Sequence, residues 1–128
     1  MSMSLAQKLA ADSVAAVAEG RNLQDVLAEI RAAHPQLTAQ ENGALQDIAY
    51  GCQRYLGSLK YMLGQMLKKP IDNPQLESLL LAAMYQLHYT RNAPHAVVNE
   101  AVESIAKIGR GQFRSFANAI LRRFLRER

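Results

Sequence analysis

A chain of 128 residues with 49% hydrophobic content suits one domain around one core and excludes wholesale disorder. Its one cysteine, Cys52, excludes an internal disulfide framework and a cysteine-built zinc site. The net charge of +4 is unevenly placed: Ser104–Arg128 holds seven basic residues against Glu127 alone, while the first 103 residues hold eight basic and ten acidic.

The pattern is helical from end to end, with no useful stretch of period-two alternation. A first helix is expected from about Ser4 to Glu19, with Leu5, Leu9, Ala16 and Val17 on one side, and Gly20 stops it. Asn22 caps a second helix whose Leu23, Val26, Leu27 and Ile30 form a core-facing stripe. His34–Pro35 ends it. Thr38 and Glu41 fit a capping box at the next start. The apolar stripe from Leu45 to Leu67 then divides, with the break expected at Gly57–Ser58, into helices over about 38–56 and 58–69. Asn73–Pro74 opens a helix that is apolar nearly all round through Leu87, so it should be the central one. Pro94 opens the sixth, with Val97, Val98, Ala101, Val102, Ile105 and Ile108 in line. After Gly109-Arg110-Gly111 the seventh follows, with Phe113, Phe116, Ala117, Ile120, Leu121 and Phe124 at core spacing. No repeat or linker divides the chain, so the expected fold is all-α: a compact bundle of about seven helices in one domain, 1–128.

The start, MSMSLAQKLAADS, lacks the basic head and apolar run of a secretory signal. The apolar run Leu79–Tyr85 is far short of the ~20 residues a membrane span needs. No membrane partner is expected, and the cytoplasm is the natural compartment.

The stretch HYTRNAPHAVVNEAVE, residues 88–103, packs two histidines, an arginine, a proline and two glutamates between apolar positions. His88 and His95 can approach across the loop, yet two histidines do not hold a metal. Helical phase turns Glu100 and Glu103 to water and leaves His95 at the edge of the apolar stripe. Glu103 stands four residues before Lys107, the favourable order for a surface ion pair. Asn99 is either a buried anchor or exposed. The helical serines form no nucleophile elbow, and Cys52 lies on an apolar stripe, where it reads as core. No catalytic residue, metal site or cofactor site is therefore expected in this chain. The arginines remain: Arg122 and Arg126 project opposite the phenylalanine stripe, Arg123 flanks them, and Arg110 and Arg114 stand at the start of the helix. Arginine's planar fork suits phosphate, so this side reads either as a backbone-phosphate reader or as a solvated face docked on an acidic neighbour.

The residues LLLAAMYQLHYTRNAPHAVVNEAVESIAKIGRGQFRSFANAILRRF, 79–124, resemble the C-terminal half of the NusB-like helical domain. The resemblance lies in Tyr85–Leu87, Pro94, Asn99–Glu103 and Asn118–Arg122; the first 78 residues fit more weakly. Two branches of that family matter. One is the free-standing NusB transcription antitermination factor, which binds RNA with a ribosomal protein. The other is the N-terminal domain of the RsmB (Sun/Fmu) methyltransferases, which make 5-methylcytosine in small-subunit ribosomal RNA. Tyr-Thr-Arg at 89–91, Pro-His-Ala at 94–96 and the stretch Tyr50–Ile71 resemble the second branch.

That resemblance implies an RNA-binding, substrate-positioning domain without catalytic residues of its own. Its partners would be small-subunit ribosomal RNA and a methyltransferase domain that follows. S-adenosylmethionine would bind only in that second domain, together with two catalytic cysteines that Cys52 does not match. The resemblance thus implies a piece from the N-terminus of a longer enzyme. The candidate RNA contacts are Arg91, Arg110, Arg114, Arg122, Arg123 and Arg126. The rival expectations are an antitermination factor with a ribosomal-protein partner, and a structural domain that only docks on the catalytic domain.

Overall fold

Side-chain caps set three of the helix starts in the computed structural model, which describes residues 3–128. The helices are α1 (Ser4–Ala18), α2 (Leu23–Ala33), α3 (Ala39–Arg54), α4 (Leu56–Gln65), α5 (Pro74–Tyr89), α6 (Pro94–Ala106) and α7 (Arg114–Glu127). Asn22 Oδ1 accepts from the Asp25 amide at 3.2 Å and Asn73 Oδ1 from the Leu76 amide at 3.0 Å. Thr38 Oγ1 accepts from the Glu41 amide at 3.0 Å, while Glu41 Oε1 accepts from the Thr38 amide at 2.9 Å. Each bond satisfies an amide that the first helical turn leaves open.

α5 is the axis of the bundle. It packs against α1, α3, α4, α6 and α7, and every residue from Ser78 to Leu87 is buried. Cys52 is fully buried beside it, its thiol 3.9 Å from the Leu81 carbonyl.

Four expectations need correction. The α3–α4 break falls at Tyr55 (φ −110°, ψ 18°), two residues before Gly57, which lies inside α4. Weak helix formers permit a break, but here an aromatic contact places it: the Tyr55 ring stacks on Tyr89 at 3.9 Å and 8°. α4 ends at Gln65 rather than near 69, through tightened bonds from Met66 to Leu63 and Leu67 to Gly64. On α1 the buried residues are Ala6, Gln7, Leu9, Ala10, Ala11, Ser13 and Val14, whereas Leu5 is 36% exposed. α1 packs on α3 and α5 at once, and its small side chains let both approach. On α7, Ala117, Ile120, Leu121 and Phe124 are buried, but Phe113 is half-buried and Phe116 is exposed. These two rings instead line an apolar groove with Met66, Leu67 and Ile71. Between α6 and α7 the chain turns through Gly109 (φ 60°) and Gly111 (φ 80°), a left-handed backbone that favours glycine.

Candidate nucleic-acid interface

The buried stripe of α7 fixes which of its side chains reach solvent. Ala117, Ile120, Leu121 and Phe124 pack toward α5 and α6, so positions 114, 122, 123 and 126 lie off that stripe. The structure gives these arginines different roles.

Arg122 is half-buried and ties α7 to α6. Its Nη1 is 3.1 Å from His95 Nδ1, and its Nη2 donates to Asn99 Oδ1 at 3.2 Å. A guanidinium can only donate, so this contact requires His95 Nδ1 to accept and places the ring proton on Nε2. His95 and Asn99 are both exposed, which settles the two readings of Asn99 in favour of the surface. Arg114 Nη2 meets Glu103 Oε1 at 2.9 Å. The expected partner of Glu103, Lys107 on its own helix, is displaced by this residue from α7. A shallow polar cleft of about 280 Å³ between α6 and α7 is lined by Asn99, Glu103, Arg114, Ser115 and Asn118. Arg123 Nε pairs with Glu127 Oε2 at 3.1 Å, one turn along α7. Glu100 was expected to face water; its Oε2 accepts from the Met3 amide at 3.2 Å.

Arg91, Arg110 and Arg126 are exposed, and no guanidinium partner joins any of them among the described residues. Arg110 donates only through its backbone amide, to Gln112 Oε1 at 2.7 Å. Arg128, which the sequence reading passed over, donates from Nη1 to the Leu87 carbonyl at 2.6 Å and closes the C-terminal turn of α5. Cationic groups therefore sit at both ends of α7, whose 14 residues span about 21 Å. Arg110 and Arg114 mark one end. Arg126 and Arg128 mark the other, beside the end of α5 from which the Arg91 loop departs.

That loop is held from inside. Thr90 Oγ1 donates to the Gln86 carbonyl at 2.6 Å and accepts from the Asn92 amide at 3.1 Å. Gln86 Nε2 donates to Asn92 Oδ1 at 3.2 Å, and Gln86 Oε1 accepts from Gln7 Nε2 at 2.8 Å. The same Gln7 nitrogen is 3.3 Å from the Val97 carbonyl. Gln7 and Gln86 are buried, so one chain of amides joins α1, α5, the 90–93 loop and α6. Sequence reasoning missed this chain. Its only local sign was a glutamine inside the apolar run of α5.

The two histidines of the corner go to separate partners. His88 lies edge-on to Tyr89 at 4.7 Å and 5.9 Å from the Phe124 ring, while His95 faces Arg122. Among the described residues no three histidine, cysteine, aspartate or glutamate side chains are placed to share a metal ion. Burial pushes the Cys52 thiol up to about 12, far from a nucleophile's range. The described residues hold no strand, and so no glycine-rich strand-to-helix turn. No helix among them is long and apolar enough to cross a membrane.

The profile of the NusB family matches residues 4–126. Ribosomal RNA small subunit methyltransferase B of Sodalis glossinidius is 35% identical over 122 residues, covering 93% of this chain and 28% of that protein. The protein of the same name from Cronobacter sakazakii is 32% identical over 124 residues, covering 94% and 28%. That of Pectobacterium carotovorum is 34% identical over 94 residues, covering 72% and 22%. The matched part of the chain thus spans 22–28% of the length of these relatives. With the profile running from the first turn of α1 to the last turn of α7, the seven-helix chain belongs to the NusB family.

Proposed function

We propose that this domain binds small-subunit ribosomal RNA through the arginine side of α7 and the neighbouring loop, and so positions the RNA for a cytosine-5 methyltransferase domain of the same protein. The observation that carries this reading is the set Arg91, Arg110 and Arg126. These are exposed guanidiniums without an acidic partner among the described residues, Arg126 on α7 and Arg91 and Arg110 in the loops on either side of α6. A free guanidinium takes a phosphate without first giving up an ion pair. The names of the relatives supply small-subunit ribosomal RNA and methyl transfer; the cytosine-5 position follows from the resemblance of residues 50–71 and 89–96 to the methyltransferase branch. S-adenosylmethionine would supply the methyl group from the other domain; the residues of this chain bind and orient. The cytoplasm is the compartment that such a substrate implies.

The test is a fluorescence-anisotropy titration with a labelled helical fragment of small-subunit ribosomal RNA at several salt concentrations. Each phosphate contact adds about 0.7–0.9 to the slope of log K against log salt. Arg91→Ala with Arg126→Ala should flatten that slope by about 1.4–1.8 and weaken binding. An unchanged slope and affinity would leave the arginine side as a solvated face and refute the proposal.

A further inference from the structure

Three tyrosine rings meet where the end of α5 faces the α3–α4 junction. Tyr55 and Tyr89 are parallel within 8° at 3.9 Å. Tyr85 lies behind them, 6.4 Å from the first and 5.8 Å from the second, tilted by 23° to each. Tyr85 is buried, and its hydroxyl donates to Asp47 Oδ1 at 2.9 Å. The two outer rings differ from it. Tyr55 and Tyr89 are half-buried, and their hydroxyls have no partner among the described residues yet are not sealed from solvent. Both rings therefore run from the core out to water.

The stacked Tyr89 ring covers one face of Tyr55. Over the other face stands the Arg54 guanidinium, its Cζ 5.4 Å from the ring centroid. Arg54 is exposed and has no acidic partner among the described residues. At that distance it falls short of close stacking contact, and an exposed side chain can swing outward. The outer face of Tyr55 is thus a flat apolar surface roofed by a movable cation. The surroundings are also cationic. Arg91 follows Tyr89 by two residues, which puts their Cα atoms within about 7 Å. The exposed His88 stands edge-on to the Tyr89 ring at 4.7 Å, and Arg128 closes the same end of α5 through the Leu87 carbonyl. The carboxylate tied to the cluster, that of Asp47, is engaged by the Tyr85 hydroxyl.

A flat ring face, a guanidinium above it and cations around the rim match a nucleobase on its phosphate backbone. A base inside a duplex has both faces taken by its neighbours, whereas an unpaired base can stack on an aromatic ring or a guanidinium plane. We propose that an unpaired RNA base slots between Arg54 and Tyr55, with Arg91 taking an adjacent phosphate. This inference rests on the RNA reading above and adds to it. The arginines of α7 hold the backbone of any strand, and the tyrosine stack selects an unpaired segment.

The probe is a short dye-labelled oligouridylate carrying one 2-aminopurine, compared with the same strand annealed to its complement. Anisotropy reads the affinity of each, and 2-aminopurine fluorescence, which falls on stacking, reads the contact itself. Saturable quenching of the single strand is expected. Tyr55→Leu should abolish the quenching and weaken the single strand about five-fold or more, with duplex affinity and salt slope unchanged. Tyr55→Phe should bind as the parent chain does. Arg54→Ala, on an exposed side chain, should weaken the single strand about two- to five-fold. No quenching with the parent chain, an equal loss of both RNAs in Tyr55→Leu, or parental single-strand affinity in both Tyr55→Leu and Arg54→Ala would overturn the assignment. The arginine test stays separate. If only the base site fails, Arg91→Ala with Arg126→Ala still flattens the salt slope on the duplex; if the RNA reading fails, that slope does not move.

Discussion

Gly51→Ala tests the tightest of the glycine positions. A methyl group on residue 51 would lie inside the van der Waals envelope of Tyr85 Cζ, Cε1 and Oη, so the ring would have to retreat by about 1 Å or more to restore normal contact. It has little room to do so. It is 6% exposed, lies 6.4 Å from the Tyr55 ring and 5.8 Å from the Tyr89 ring, and donates to Asp47 Oδ1 at 2.9 Å. Overpacking costs about 1–3 kcal/mol. Breaking the bond to the carboxylate adds about 1.5 kcal/mol. The better helix propensity of alanine within α3 offsets about 1 kcal/mol. The net loss is roughly 1.5–3.5 kcal/mol, to be read as a lower urea midpoint by far-ultraviolet circular dichroism at an unchanged slope. Tyr85→Leu removes the obstacle, so the double variant should be more stable than the two single losses predict by at least about 1 kcal/mol. A Gly51→Ala chain as stable as the parent, or strictly additive losses, would refute the steric argument.

Thr38→Ala removes one half of the capping box and should cost about 1 kcal/mol in the same assay, with Thr38→Ser nearly neutral. Arg122→Ala should cost about 1 kcal/mol because it unties α7 from His95 and Asn99, whereas Arg126→Ala should stay within about 0.5 kcal/mol. Equal stability of those two variants would contradict the division between anchoring and free arginines. Cys52 should resist Ellman's reagent at pH 8 until the chain is unfolded in urea. Its raised folded pKa also fixes the sign of a pH effect. The unfolded thiol ionises from about 9.0 while the folded one stays protonated to about 12, so its contribution is intact below pH 9 and lost as pH rises through that window. Stability should fall by on the order of 1 kcal/mol by pH 10 from this group, and the raised pKa of Tyr85 acts in the same direction. A urea midpoint that rises between pH 8 and pH 10 would contradict it.

What the sequence made legible was local. Asn22, Thr38 and Asn73 announce their helices because a cap acts on amides three residues away. The centrality of α5 was visible because a helix apolar on all sides has no face to give to water. The misreadings involve partners distant in the chain. Tyr55 breaks the chain because Tyr89 waits for its ring, and Glu103 leaves Lys107 because Arg114 arrives from another helix. The candidate arginines followed from charge and helical phase, but their division into anchors and free groups did not. Arg122 differs from Arg126 through His95 and Asn99, more than twenty positions away.

The position of Arg91 carries that lesson into function. Its guanidinium has no partner to hold it, so its placement must come from the backbone beneath. Gln86 provides the support: its side chain grips Asn92 on one side and Gln7 on the other, while its carbonyl takes the Thr90 hydroxyl. A leucine or methionine would fill the same core volume, but it would leave the buried Gln7 amide only the Val97 carbonyl at 3.3 Å and release the exposed Asn92 from α5. The relay also carries an unmet demand, since Gln7 Oε1 is buried without a partner among the described residues. A polar chain kept in an apolar core at that cost places the loop more strictly than packing alone would. A phosphate-binding arginine needs this arrangement: a side chain free to meet its ligand, on a backbone that is not free to move.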